Sequence, residues 1–120
     1  MRIGADIAAG LLRSAAAAIS LAERLPRTAA GRHVGLQLVR AITSAGSNYE
    51  EARAAESRAD FIHKVGVAAK EMRETCYWLR LIECVRWVDA DITAVVDDAH
   101  DLAARLGASS RTARARAADP

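Results

Sequence analysis

The chain has 120 residues, of which 52% are hydrophobic and 4% aromatic, and its formal net charge is +2. A chain of this length can bury one core but is too short for two, so we expect a single domain. Alanine supplies much of the apolar fraction and favours helices, whereas strands prefer β-branched and aromatic residues. The small net charge excludes a strongly basic surface over the whole molecule.

Two amphipathic helices are predicted in the first half, over about residues 5–25 and 32–56. In the first, Pro26 follows the last apolar position and ends the helix. In the second, the stretch 43–48 contains serine, glycine and asparagine, which lower helix propensity and could kink the helix or let another backbone approach. The apolar positions repeat at steps of three and four and are Leu11, Ala15, Ala18, Ala22 and Leu25, then Leu38, Ile42, Ala45, Tyr49 and Ala52.

Two further helices are predicted in the second half. Ser57 with Asp60 resembles a capping box and opens the third helix, which reaches about Trp87. The fourth begins after Asp91 and ends at Gly107. At 1.5 Å per residue the third helix would be roughly 45 Å long and the fourth about 25 Å, so the third should overhang. Residues 108–120 lack periodicity and are predicted to form a mobile basic tail.

These four helices predict an all-α protein, an antiparallel up-down-up-down four-helix bundle over residues 1–107. No strand pattern is present. Arg13 interrupts the apolar N-terminal stretch, so we expect neither a signal peptide nor a transmembrane span. Cys76 and Cys84 lie eight positions apart on one predicted helix, too far for a disulfide within it. Reduced thiols and a cytoplasmic location without membrane contact are therefore expected.

The second half of the third helix carries more apolar residues than one buried stripe needs. We predict that the excess covers an oligomer interface, and the alternative is a thick core with one or two exposed aromatics. The candidate interface residues are Tyr77, Trp78, Leu81, Val85 and Trp87.

Polar residues at helical spacing predict the register of the second and third helices. An antiparallel hairpin about Ser57 pairs positions whose numbers sum to roughly 114. The predicted cross-helix contacts are Arg40 with Glu74, Ser44 with Glu71, and Glu51 with Lys64. Such pairs fix alignment more than they stabilise the fold.

The acid-x-x-His spacing of di-metal sites in ferritin-like bundles occurs twice, at Asp60 with His63 and at Asp97 with His100. The first helix offers carboxylates only near its ends, so no metal or other cofactor is expected. Glycine-rich phosphate loops and interpretable Ser or Cys nucleophile arrangements are also missing from the sequence, which predicts a protein that is not an enzyme.

Residues 38–82 resemble the bacterial four-helix bundle proteins first noticed in intervening sequences of 23S ribosomal RNA genes. The resemblance covers over a third of the chain. The matching positions are Arg40, Ala41, Ser44, Asn48, Tyr49 and Glu51, then Ser57, Asp60, Phe61 and Lys64, then Lys70, Glu71, Glu74, Tyr77, Trp78 and Leu79.

The resemblance implies a non-catalytic bundle that commonly forms a ring-like homopentamer. The family is similar to accessory variability determinants of diversity-generating retroelements, which are pentameric and associate with nucleic acid and a reverse transcriptase. An oligomeric accessory protein that associates with DNA or RNA is therefore one expectation. The alternative is a homo-oligomeric scaffold that binds other proteins and no nucleic acid.

Arginines of the first helix are the candidate nucleic-acid contacts. Arg2, Arg13 and Arg24 repeat every eleven residues, which returns to nearly the same helix face after about three turns. Arg27 and Arg32 extend the basic charge through the following loop. Symmetry in a ring would multiply this surface, and phosphate contacts could hold nucleic acid without reading its sequence. The alternative is a solvated helix face with local ion pairs to Asp6 and Glu23.

Overall fold

The computed structural model describes residues 4–118, and this part of the chain contains four helices and no strand. The helices are α1 (Ala5–Ala22), α2 (Ala29–Arg53), α3 (Arg58–Val85) and α4 (Thr93–Ala118). The all-α prediction is thus confirmed.

The helices form an elongated bundle of 52 × 24 × 22 Å. Each helix packs against its neighbours in sequence, and α1 also packs against α4, so the four helices surround one core. Cross-helix contacts follow an antiparallel order: Arg40 meets Glu71 across α2 and α3, and Asp6 meets Arg105 across α1 and α4. The loop 54–57 and the ends of the described chain therefore lie at one end of the bundle, and the loops 23–28 and 86–92 lie at the other.

Side-chain caps begin three of the helices. The Thr28 hydroxyl accepts a hydrogen bond from the Gly31 amide at 3.1 Å, and the Ser57 hydroxyl accepts one from the Asp60 amide at 3.0 Å. The Asp91 carboxylate accepts one from the Thr93 amide at 2.9 Å. These bonds satisfy amides that have no partner within the first helical turn.

A close backbone approach explains the glycine in the first turn of α2. A Cβ atom at Gly31 would lie 2.1 Å from the Pro26 carbonyl oxygen, so any other residue would push the loop away from the helix.

The core lies along the axis and receives side chains from every helix. Burying one large aliphatic side chain contributes about 1.5–3 kcal/mol. The largest side chains without contact to solvent are Leu11, Leu38, Ile42, Val65, Met72, Leu79, Ile82 and Leu106, with the polar Thr75 among them. The Thr75 hydroxyl donates to the Glu71 carbonyl oxygen at 2.9 Å, which satisfies it within its own helix.

The predicted end of the fourth helix at Gly107 is wrong. Helix α4 continues to Ala118, and residues 108–118 of the predicted mobile tail are helical, while residues 119–120 lie outside the described part. Buried Leu106 and Ser110 flank the glycine and hold the helix against the bundle, so packing overrides the weak propensity of glycine. With 26 residues α4 is nearly as long as the 28-residue α3, which corrects the predicted overhang.

Other boundaries differ by a few residues. Helix α1 ends at Ala22 rather than near residue 25, and α2 begins at Ala29 rather than near residue 32. The stretch 43–48 remains helical, and the Cβ of Leu11 lies 4.0 Å from the position of a Cβ at Gly46. This is ordinary van der Waals contact with a side chain, so no close backbone approach requires the glycine.

Helix α1 is more apolar than expected. Its 18 residues have a mean hydropathy of 1.4, enough by length and composition to cross a membrane, which corrects the sequence-based expectation. This is weak support for a span, because core helices and N-terminal leaders pass the same test. In the bundle, α1 buries Ile7, Leu11, Ala18 and Leu21 against its neighbours.

Candidate functional site

A polar network crosses the outer side of the contact between α2 and α3. Nη1 of Arg40 donates to Oε2 of Glu71 at 2.9 Å, and Nη2 of the same arginine donates to Oε2 of Glu74. About three helical turns further along α2, Nζ of Lys64 lies 2.5 Å from Oε1 of Glu51. Arg40 with Glu74 and Lys64 with Glu51 are two of the three contacts that the hairpin register predicts.

The third predicted contact, Ser44 with Glu71, is wrong. Arg40 is long enough to reach both carboxylates, so Glu71 already has a charged partner. The Ser44 hydroxyl instead accepts a hydrogen bond from Nδ2 of Asn48 at 3.2 Å within α2.

Aromatic side chains continue this network toward the end that carries the loops 23–28 and 86–92. Nε1 of Trp78 donates to Oε2 of Glu74 at 3.0 Å, and this bond, with the Arg40 guanidinium, holds the pKa of the Glu74 carboxyl below its ordinary value. The ring of Trp78 meets the rings of His33 at 5.9 Å and Tyr77 at 5.0 Å, both edge to face. Trp78 is therefore fixed by two neighbouring rings and by its indole hydrogen bond.

The five candidate interface residues fall into two groups. Tyr77 is 58% exposed and Val85 is 44% exposed. Trp78, Leu81 and Trp87 are partly buried and pack against the core. A thick core thus explains three of these residues, and the two exposed ones retain apolar surface without a partner within the chain.

Tyr77 borders an apolar groove between α3 and α4, here named the Tyr77 groove, with a volume of about 620 Å³. It opens toward solvent beside two arginines. The residues that line it are Arg73, Cys76, Tyr77, Arg80, Leu81, Cys84, His100 and Ala103.

A second apolar groove, the Leu36 groove, lies between α1 and α2 and has a volume of about 810 Å³. Leu36 is 67% exposed at its edge. The apolar lining comes from Ile19, Ala22, Leu25, Pro26, Gly35, Leu36 and Val39. The sequence analysis did not predict this groove. The available signal was that Leu36 and Val39 are apolar but lie outside the repeat that marks the core face of α2.

The predicted arginine line does not form one surface. Arg13 lines a small groove between α1 and α4 together with Asp98, Asp101 and Arg105, so two acidic groups offset the basic charge there. Helix α1 ends before Arg24, which is exposed but no longer in helical register. Arg27 and Arg32 border the Leu36 groove. Arg2 lies outside the described residues.

Basic charge is instead concentrated on the second half of α4. Arg111, Arg114 and Arg116 are exposed on this helix, in the segment that the sequence predicted to be a mobile tail. Nη1 of Arg58, from the first turn of α3, lies 3.5 Å from the carbonyl oxygen of Arg116.

The metal and thiol candidates remain apart. Within residues 4–118 no three His, Cys, Asp or Glu side chains come together in an arrangement that could hold a metal ion. Cys76 is buried, which raises the pKa of its thiol and lowers its reactivity, whereas Cys84 is exposed.

Comparisons with known proteins agree with this architecture. A sequence profile described as 23S rRNA-intervening sequence protein matches residues 7–108. The fold is similar to the crystal structure of a protein of unknown function from the S23 ribosomal protein family of Bacteroides thetaiotaomicron, with a TM-score of 0.77 and 30% sequence identity. The match covers 87% of this chain and 97% of that one. No match is found among curated protein sequences. The chain belongs to the 23S rRNA-intervening sequence protein family.

Proposed function

We propose that this protein is a non-catalytic, cytoplasmic accessory bundle that forms a homo-oligomer, with five copies favoured, and associates with nucleic acid. In this proposal the protein acts together with a reverse transcriptase, as do the retroelement accessory proteins that its family resembles. The observation that carries the oligomer is the presence of two apolar grooves on different sides of one short chain.

The positions of the two grooves favour a ring. The Leu36 groove lies between α1 and α2, and the Tyr77 groove lies on the opposite side, between α3 and α4. A contact between different patches of successive copies is heterologous, and it closes into a ring when the rotation between copies permits. One groove of each copy would then meet the opposite groove of the next.

Single substitutions test this assembly. Light scattering coupled to size exclusion should give a mass of about five times the 12.8 kDa chain. Leu36→Glu should release monomers, because a carboxylate buried in an apolar contact loses its hydration. The same change at Leu12 is the matched control, since Leu12 is 75% exposed but lines neither groove. A monomeric wild-type protein at micromolar concentration would overturn the proposed ring.

The nucleic-acid part of the proposal is supported by exposed arginines, whose number a ring would multiply by its number of copies. Binding of a labelled oligonucleotide should weaken steeply as salt rises, because phosphate contacts release counterions. An intact oligomer that binds neither DNA nor RNA at low salt would leave the alternative, a ring that serves as a protein-binding scaffold through its outward faces.

A further inference from the structure

The first turn of α3 and the last turns of α4 enclose a groove of about 430 Å³, here named the Arg58 groove. It lies at the end of the bundle that carries the loop 54–57, away from the loops beside the Leu36 groove. Two arginines and two hydroxyl groups surround an apolar floor that includes Phe61. The residues that line it are Arg58, Phe61, Ala108, Ser109, Thr112 and Arg116.

The arginines near this groove have no acidic partner among residues 4–118. Ion pairs in this part of the chain engage Arg40, Arg53, Lys64 and Arg105, and none engages the groove arginines. Residues 102–118 contain no aspartate or glutamate. Two arginines line the groove, Arg58 and Arg116. Arg111 and Arg114 lie on other faces of α4, and the Arg114 guanidinium lies 3.3 Å from the position of a Cβ at Gly66.

Helix dipoles explain only part of this charge. Arg114 and Arg116 lie near the negative C-terminal end of α4, where a cation is favourable. Arg58 is the first residue of α3, where the helix dipole is positive and a cation is unfavourable. Its contact with the Arg116 carbonyl oxygen holds the guanidinium beside the groove without neutralising it. This contact caps a carbonyl in the last turn of α4, and the guanidinium keeps further donors for an anion in the groove.

We infer that the Arg58 groove binds the phosphate backbone of nucleic acid. This inference rests on the proposed association with nucleic acid and moves its site from α1 to the junction of α3 and α4. Arginine forks suit phosphate oxygens, and the hydroxyls of Ser109 and Thr112 are further donors to phosphate.

The arginines of α1 and the following loop are weaker candidates for the same role. Arg13 shares its groove with Asp98 and Asp101, whose charges repel phosphate. Arg27 and Arg32 border the Leu36 groove, which the proposed ring would cover. The face that carries Arg58 lies at the other end of the bundle and stays open in that ring.

Two sets of substitutions with equal change of charge test the inference. One variant replaces Arg58 and Arg116 with glutamine, and the matched control replaces Arg13 and Arg24, which lie outside all three grooves named above. Binding of fluorescently labelled oligouridylate to the intact oligomer is measured by anisotropy over a salt series. The first variant should bind on the order of tenfold more weakly, and its salt dependence should fall by about one counterion for each lost phosphate contact. The control should change little.

Further measurements separate charge from folding and nucleic acid from other polyanions. Arg58→Gln alone should still lower the salt dependence, and lysine at both positions should retain binding through charge. Circular dichroism and light scattering check helix content and mass. If wild-type protein binds and the glutamine variant of the groove binds equally, the inference is overturned while the proposed function stands. If wild-type protein does not bind, both are overturned. Displacement by polyglutamate as effective as by unlabelled RNA would overturn the assignment to nucleic acid.

Discussion

The contact between α2 and α3 differs sharply from the contact between α1 and α4. Across the first, Arg40 and Lys64 make ion pairs with three glutamates, above a continuous buried core. Across the second, Arg105 with Asp6 is the one ion pair among the described residues, and a groove of about 220 Å³ remains beside Gly10. Side chains of several types fix one alignment of α2 and α3, whereas glycine and alanine leave α1 less constrained.

Core truncation should show this difference most strongly. Leu38→Ala should lower the free energy of unfolding by about 2–5 kcal/mol, because Leu38 is fully buried and its neighbours cannot close the cavity. Leu102→Ala should cost less, since Leu102 borders the groove between α1 and α4, where the helices can move together. Chemical denaturation at one protein concentration measures both. Equal losses would show that the two contacts are equally well packed.

Glycine replacement sharpens the comparison at a smaller scale. Gly46→Ala should stabilise the fold by roughly 0.5–1 kcal/mol, because alanine suits a helix interior and a Cβ there meets nothing closer than Leu11 at 4.0 Å. Gly10→Ala places a Cβ 3.0 Å from Cδ2 of Leu102, so the gain should be smaller or lost. Thermal unfolding of the two variants shows which one gains more stability. A larger gain for Gly10→Ala would mean that α4 moves away from α1 at little cost.

A double-mutant cycle tests the register of α2 and α3. Arg40→Ala and Glu74→Gln should each destabilise slightly, and the double variant should lose less than the sum, because the two side chains share a hydrogen bond. The effect should be small, since Arg40 is largely exposed and water screens such pairs. Additive losses would mean that the pair contributes no coupling in solution.

Acid titration should reveal the smallest difference. The pKa of the Glu74 carboxyl is lowered by the Trp78 indole and by Arg40, and the pKa of Asp6 is lowered mainly by its hydrogen bond from Arg105. A carboxyl with a depressed folded pKa stabilises fully above its ordinary pKa, and this contribution is lost as pH falls through the folded value. Glu74→Gln should therefore reduce the loss of unfolding free energy as the pH falls, and Asp6→Asn should reduce it less. If the unfolding free energy of Glu74→Gln falls with pH as steeply as that of the wild type, Glu74 does not contribute to the acid sensitivity of the fold.

Sequence patterns predicted the four helices and much of the register, because apolar repeats and charge pairs act over short distances. They failed at Gly107, where the burial of Ser110 and Leu106 depends on α3 and cannot be read from local propensity. The grooves were also beyond reach, since the shape of a groove depends on how two neighbouring helices pack and cannot be read from either helix alone. The basic surface was assigned to α1 because the helical continuation of α4 was not recognised.

The ion pair between Asp6 and Arg105 also has a consequence for the order of folding. Its partners are 99 positions apart, whereas Glu51 and Lys64 are 13 apart. By the logarithmic dependence of loop entropy on length, closing the longer loop first costs about 2 kcal/mol more. The hairpin of α2 and α3 should therefore form early and α1 should dock late. In native-state hydrogen exchange, we expect amides of α1 to lose protection before those of the hairpin, through an opening that leaves α2 and α3 paired.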